Sequence, residues 1–296
     1  MYYMLYFLIA VACASLFSIM FKICRLKDVD ISQAMLVNYA VGALFCLTQV
    51  AAASGGAVDI AGFAGTLPFF LAASIGVFYI TGFIVRDYST RRCGVALTTV
   101  SARSALAVPV VLSWLFLADK APFWPAIALV LLSLAMIAWP QGGVSSQAGE
   151  GRSLDRLAIL AELFIIYGFC DFSLKFVQHL VSASVPAAMV TLVVFVSAFI
   201  LSLVYCLVKK VFRKHSFTWR ELLAGSLIGI ANSSCTVMVL RALGQMPATV
   251  FYPLYNVSVV LVCTLVGILF FKERPSGLQV AGMVLALAAI SLLALK

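Results

Sequence analysis

Two ionisable side chains lie in the middle of long apolar segments. Arg103 is about ten residues into an apolar run at 94–117, and Asp171 is some fourteen residues into another run at 157–178. A charged group in hydrocarbon costs several kcal/mol unless it is paired or hydrated, so each is a candidate functional residue. The arginine could hold a carboxylate or another anion, and the aspartate could bind and release a proton.

A structural interpretation of the same charges is also open. Lys175 follows Asp171 by four residues, which places both side chains on one face of a helix. Asp171 could therefore form an ion pair with Lys175, or with Arg103 from the other segment. The sequence predicts either a coupling site at Asp171 and Lys175 or a purely structural pair.

Further polar side chains occur at comparable depth. Tyr252 and Asn256 are four residues apart and share a helix face, with Pro253 beside them. This pattern favours an interrupted or kinked helix whose freed backbone carbonyls line a cavity. It fits equally a kinked helix that lines no cavity and whose hydroxyl groups bond to neighbouring residues. The candidate substrate-binding residues are Arg103, Thr98, Ser101, Tyr252, Tyr255, Asn256, Asn232 and Tyr79.

The composition identifies the environment of these residues. Of the 296 residues, 64% are hydrophobic and 10% are charged, whereas soluble domains carry about 25% charged residues. A chain this apolar needs the lipid bilayer as its solvent. This excludes a soluble enzyme, a disordered chain and a secreted disulfide scaffold. The eight cysteines include no CxxC pair and are expected to pack as small apolar residues.

The apolar runs predict an all-α membrane protein with ten transmembrane helices, since one crossing needs about 20 apolar residues. Gly225 and Gly229 are expected to mark a close helix contact. The predicted spans are 3–23, 33–53, 67–85, 94–117, 123–139, 157–178, 185–208, 221–240, 247–271 and 277–295.

The two halves of the chain match at an offset of 154 residues. Asp119-Lys120 falls on Glu273-Arg274, each just before a proline and an apolar helix. The predicted organisation is a five-helix repeat at 1–140, a polar linker at 141–156 and a second repeat at 157–296. Because five is odd, the repeats insert with inverted topology, which is typical of secondary transporters.

The net charge of +9 is interpreted as a topology signal. Fifteen Lys and Arg residues fall in the loops after odd-numbered spans, against four in the alternate loops and at the termini. Because cytoplasmic loops are positive, both termini are predicted on the non-cytoplasmic side of the cell (inner) membrane. No nucleic-acid partner is expected.

Three features recur in both halves: an acidic residue followed nine positions later by a small one, a lysine at the end of the first span, and an entry to the fourth span that is rich in small residues. They are Asp119 with Ala128 and Glu273 with Gly282, Lys22 and Lys175, and the segments 94–102 and 248–256. In these features the sequence resembles the drug/metabolite transporter superfamily, in its ten-helix form with two EamA-type repeats. The resemblance implies an exporter of small organic metabolites such as amino acids.

The sequence therefore predicts a secondary active or facilitative transporter that works by alternating access. A small-molecule substrate and the bilayer are the expected partners, as a monomer or homodimer. No enzyme activity, ATP hydrolysis, cofactor or metal is expected, since no phosphate-binding loop is present and His179 and His215 lack ligand spacing. A sugar or nucleotide-sugar carrier, a lipid-acting membrane enzyme and a scaffold subunit are the alternatives.

Overall fold

The computed structural model describes residues 2–53, 60–93, 95–139, 153–181, 185–209, 211, 218–272 and 274–294, and these ranges contain helices and no strand. Most consecutive helices are separated by segments that contain polar residues, glycine or proline. The helices are α1 (Tyr2–Leu26), α2 (Ile31–Ala53), α3 (Ile60–Phe63), α4 (Leu67–Cys93), α5 (Val95–Ser104), α6 (Ala107–Phe116), α7 (Trp124–Ile137), α8 (Ser153–Leu180), α9 (Ala187–Val208), α10 (Trp219–Leu243), α11 (Ala248–Phe271) and α12 (Gly277–Ala294).

Eight helical segments in the described ranges are long and apolar enough to cross a membrane. They are α1, α2, α4, α5 with α6, α8, α9, α10 and α11. Large apolar side chains remain exposed on them, for example Leu269 at 72% and Phe270 at 77%. Such surfaces are stable in lipid and not in water. The chain is a multi-pass helical membrane protein.

Every predicted span coincides with helix, because long apolar runs are the strongest signal in such a sequence. The ends agree to within four residues, except that α4 continues eight residues beyond the predicted end at 85. The predicted spans 123–139 and 277–295 correspond to the shorter apolar helices α7 and α12. The 14 residues of α7 extend about 21 Å, less than the hydrocarbon thickness of about 30 Å. The count of ten crossings stays a prediction.

The predicted span 94–117 is divided between two helices. α5 ends at Ser104 and α6 begins at Ala107. Pro109, in the first turn of α6, has no N–H to donate, and Val108 N–H bonds three residues back to Ala105 (3.0 Å). This break places Arg103 in the last turn of α5, where the helix dipole favours a cation.

Of the interrupted and kinked helices predicted beside Tyr252, the interrupted form is wrong. α11 runs continuously through Pro253 from Ala248 to Phe271. A proline near the start of a long helix removes one backbone hydrogen bond, and the turns that follow maintain the helix. The helix is interrupted instead between Ser104 and Ala107, where α5 ends and α6 begins.

The described helices form two compact units. Unit 1 comprises Met1–Ile80 and Phe176–Gln245. In it, α2 packs on α9 and α10, and α1 packs on α10. A Cβ at Gly225 would lie 2.5 Å from the Ala34 carbonyl oxygen, and one at Gly229 would lie 2.6 Å from that of Asn38. The predicted glycine contact is confirmed, since only glycine permits this approach of α10 to α2.

Unit 2 comprises Thr81–Lys175 and Met246–Lys296. In it, α12 packs on α7, and α11 packs on α6, α7 and α12. The unit boundaries fall inside α4, inside α8 and between α10 and α11, and each unit takes residues from both predicted repeats. Of the predicted linker, residues 141–152 lie outside the described ranges, and its last four residues begin α8.

Helix starts recur at the offset of the predicted repeat. Adding 154 to the first residues of α2, α4, α5 and α7 gives 185, 221, 249 and 278; the first residues of α9, α10, α11 and α12 are 187, 219, 248 and 277. Ala118 (φ 52°) and Lys272 (φ 53°), also 154 residues apart, both adopt the left-handed conformation that is uncommon outside glycine. α2 contacts α9 within unit 1, and α7 contacts α12 within unit 2.

Candidate functional site

A chain of hydrogen bonds inside unit 2 links three helices around Arg103. The Arg103 guanidinium, on α5, donates from Nη1 to Asn256 Oδ1 on α11 (3.0 Å). The Asn256 amide in turn donates from Nδ2 to the Tyr252 carbonyl one turn earlier (3.0 Å). The Tyr252 hydroxyl donates to the backbone carbonyl of Asp171 on α8. Arg103 and three other predicted site residues are therefore brought together.

The amide of Asn256 is oriented from both ends. Its Nδ2 is held by its own helix, so its Oδ1 faces the guanidinium. Asn256 and Tyr252 are 5% and 1% exposed, which makes these positions well defined by packing. The arrangement holds Arg103 in one position inside apolar helices.

The Arg103 guanidinium keeps most of its hydrogen-bonding capacity. An arginine carries five N–H donors. Within the described part of the chain, Asn256 is its one hydrogen-bond acceptor, and the side chain is half-buried. The remaining donors suit a planar anion such as a carboxylate, which arginine binds through two parallel hydrogen bonds.

Asp171 does not form either of the predicted ion pairs. In the described ranges its carboxylate has no cationic nitrogen within 4.0 Å, although the charge of Arg103 acts on it. Its side chain is half-buried on α8. The Arg103 guanidinium and the Asp171 carboxyl group therefore form no ion pair in the described part of unit 2.

Lys175 pairs with Asp119 rather than with Asp171. Lys175 Nζ lies 3.7 Å from Asp119 Oδ2, and the two side chains are 8% and 14% exposed. The same carboxylate oxygen accepts the backbone N–H of Ala248 at the start of α11 (2.8 Å). Asp119 therefore neutralises Lys175 and caps α11, where the positive end of the helix dipole favours an anion.

The sequence marks Asp119 as part of a turn that matches Glu273 at the repeat offset and that carries the family resemblance, but it does not indicate contacts with Lys175 or Ala248. Its structural role depends on α8 and α11, which are distant in sequence. The signal that could have indicated it was the match between Asp119 and Glu273 at the repeat offset. Glu273 itself lies outside the described residues.

The two hydroxyl residues predicted as site residues on α5, Thr98 and Ser101, form hydrogen bonds to the neighbouring helices α4 and α8. Thr98 Oγ1 lies 2.8 Å from Ser89 Oγ of α4. Ser101 Oγ donates to the carbonyl of Leu160 on α8 (2.6 Å). These contacts fasten α5 to its neighbours in unit 2. Their role in the structure is to position α5, and through it Arg103.

Tyr255 is half-buried and stacks on a neighbouring ring. Its ring lies 5.3 Å from that of Phe251, four residues earlier on α11, with an interplanar angle of 15°. Phe251 is fully buried at 0% exposure. Tyr255 therefore contributes an aromatic surface on α11, one residue before Asn256.

Tyr79 and Asn232 belong to unit 1, apart from the Arg103 chain of hydrogen bonds. The Tyr79 hydroxyl lies 3.0 Å from Thr236 Oγ1. Asn232 Nδ2 donates to Asn38 Oδ1 (3.2 Å). The Tyr79 ring also packs edge-on against Phe195 at 6.0 Å. The structure thus divides the predicted substrate-binding set between the two units.

No protein-family model matches the chain. An uncharacterized protein of Haemophilus influenzae is 24% identical over 288 residues, covering 95% of this chain and 94% of that protein. A solved crystal structure has a TM-score of 0.72 at 14% identity and covers 98% of this chain and 96% of its own. At such identity the likeness to the crystal structure establishes a shared fold and nothing further.

Proposed function

We propose that this chain is a secondary transporter of small organic metabolites, of the ten-helix type found in the drug/metabolite transporter superfamily, and that Arg103 binds the substrate. The observation that carries the proposal is the half-buried guanidinium held by Asn256 within apolar helices. A purely structural arginine at this depth is expected to have its donors satisfied by the protein. Among the described residues Arg103 bonds to Asn256 alone.

Two hydrogen bonds between the ends of different helices support the proposed arrangement of ten spans. Asp119, after α6, contacts Ala248 at the start of α11. Trp139, after α7, accepts a hydrogen bond from Gln279 near the start of α12 (3.1 Å). If ten spans alternate in direction, each of these pairs lies at one membrane face. The recurrence of helix starts at 154 residues supports two repeats of opposite orientation.

In the proposed mechanism the repeats rock against each other, so that Arg103 is accessible first from one side of the membrane and then from the other. The sequence contains no phosphate-binding loop, so an ion or substrate gradient drives the cycle. Asp171 is the proposed coupling group. Lys175, already paired with Asp119, positions α8 and is not itself the proton carrier.

The proposal is tested by counterflow in proteoliposomes loaded with a labelled panel of amino acids, monocarboxylates and sugars. Wild-type protein is expected to exchange at least one compound, and Arg103→Ala is expected to lose that exchange. Arg91→Ala is the matched control, because Arg91 pairs with Asp87 on the surface and its side chain is 77% exposed. No exchange by the wild type, or full exchange by Arg103→Ala, would overturn the proposal.

A further inference from the structure

The side chain that holds Arg103 is neutral. The guanidinium donates to Asn256 Oδ1 (3.0 Å), and in the described part of the chain no carboxylate oxygen lies within 4.0 Å of it. A charge inside apolar helices is normally paired with an opposite charge, because removing it from water is costly. An aspartate has nearly the same size as an asparagine and binds a guanidinium more strongly. The amide at this position therefore holds the guanidinium without neutralising its charge.

Few other charges lie on the helices around this hydrogen bond. Arg103 is the only charged residue in the sequences of α5, α6, α7 and α11. On α8, Glu162 is exposed and Lys175 is already in an ion pair. Asp171, also on α8, forms no ion pair with Arg103. Among the described residues none neutralises Arg103 by contact, so its charge remains for a bound group.

The side chain of Asn256 is fixed by its own helix and by packing. Its Nδ2 donates to the Tyr252 carbonyl (3.0 Å), and the residue is 5% exposed. Tyr252 is 1% exposed and donates its hydroxyl to the backbone carbonyl of Asp171. Because Asn256 is buried and both ends of its amide are occupied, it orients Arg103 and is not placed to contact a substrate.

We infer that Asn256 is a positioning residue that sets the charge specificity of the proposed site: it fixes the Arg103 guanidinium without neutralising it, so that the site takes a substrate with a negatively charged group. This inference rests on the proposed function and names the charge that the substrate presents to Arg103. A carboxylate neutralises the guanidinium through charge-assisted hydrogen bonds. A sugar, or the amide of the same acid, leaves Arg103 charged and is disfavoured.

The first test needs no variant, so it holds even if a substitution impairs folding. The counterflow panel is extended by the primary amide of every acid in it, for example lactamide beside lactate. An acid and its amide have nearly the same shape, so a difference between them reports the charge. Wild-type protein is expected to exchange the acid at least tenfold faster than the amide. Equal exchange of an acid and its amide, or exchange of a sugar alone, would overturn the inference.

The second test neutralises Arg103 from within. Asn256→Asp places a carboxylate against the guanidinium and is expected to reduce exchange of the acid at least tenfold, through a raised KM. Asn256→Gln keeps a neutral amide and is expected to retain more exchange than Asn256→Asp. A purely structural role predicts the opposite order, because aspartate holds the guanidinium more strongly. Thermal unfolding in detergent shows whether each variant is folded.

Gln279→Glu is the matched control. Like Asn256, Gln279 lies in unit 2, accepts a backbone N–H at its amide oxygen (Ser276, 3.0 Å) or an equivalent donor, and donates to a backbone carbonyl (Trp139, 3.1 Å). Its change to glutamate removes the same donor and adds the same charge, but it is not bonded to Arg103. Exchange by Gln279→Glu is expected to equal that of the wild type. An equal loss in Gln279→Glu and Asn256→Asp would contradict the role of Asn256.

The outcome distinguishes this inference from the proposed function. If Arg103→Ala loses exchange of an acid and Asn256→Asp exchanges it as the wild type does, the inference fails and the proposed function stands. If Arg103→Ala exchanges every compound as the wild type does, the proposed function fails as well.

Discussion

Lys175 and Asp119 are 56 positions apart in the chain, yet they form a largely buried ion pair with 3.7 Å between Nζ and Oδ2. The carboxylate also receives the first N–H of α11, so a single side chain joins the end of α6 to α8 and α11. Unit 2 thus depends on one acidic residue at the point where three of its helices meet.

Asp119→Asn is expected to destabilise the protein by about 3–5 kcal/mol, because it leaves the Lys175 ammonium buried without its counter-charge. Asparagine can still accept the Ala248 N–H, so the effect isolates the charge. The double variant Asp119→Asn/Lys175→Met is expected to recover most of the loss. The free energy of unfolding of the wild type, the single variant and the double variant is measured by titrating each protein in detergent with SDS.

The control for this prediction is Asp87→Asn. Asp87 pairs with Arg91 at 3.0 Å, but the arginine side chain is 77% exposed. Exposed ion pairs contribute about 0.2–1 kcal/mol. Equal destabilisation by Asp119→Asn and Asp87→Asn would show that the buried ion pair contributes no more to the free energy of unfolding than the exposed one.

Gly229→Ala is expected to loosen the packing of α10 on α2. The added Cβ would lie 2.6 Å from the Asn38 carbonyl oxygen, which belongs to a helix backbone and cannot move aside. Overpacking of this kind costs about 1–3 kcal/mol. Gly277→Ala, where nothing lies within 4 Å, is expected to leave the apparent melting temperature in detergent unchanged or slightly raised.

Glu221→Ala is expected to weaken the start of α10 and its attachment to α2. Glu221 accepts the backbone N–H of Thr218 (3.0 Å) in a capping box, and it also accepts the N–H of Asp30 (3.3 Å). Loss of a helix cap costs about 0.5–2 kcal/mol. Glu162→Ala on the exposed face of α8 is the control, and an equal fall in melting temperature for both would contradict this role.

The positions of the helices follow from the sequence because apolar runs of bilayer length leave few other arrangements. The predicted grouping of Arg103 with Tyr252 and Asn256 also agrees with the structure, since the repeat offset aligned their segments. The break between Ser104 and Ala107 was not predicted: Pro109 signals it, yet proline is also found within continuous helices, as Pro253 is in α11.

The partner of Lys175 could not be predicted from sequence. Spacing along α8 favours Asp171, four residues away, because sequence patterns report neighbours on one helix. Lys175 pairs with Asp119 because the packing of α6, α8 and α11 places the turn that contains Asp119 against α8. For the same reason the sequence could not assign Tyr79 and Asn232 to unit 1.

The most direct measurement of the central claim is saturation binding of the exchanged compound to purified protein in detergent. A hydrogen bond to a charged group contributes about 1.5–3 kcal/mol, which corresponds to about 10–100-fold in Kd. Arg103→Ala is therefore expected to bind at least tenfold more weakly than wild type, while Arg91→Ala binds as wild type does. Wild-type affinity in Arg103→Ala would contradict the assignment of Arg103 as the substrate-binding residue.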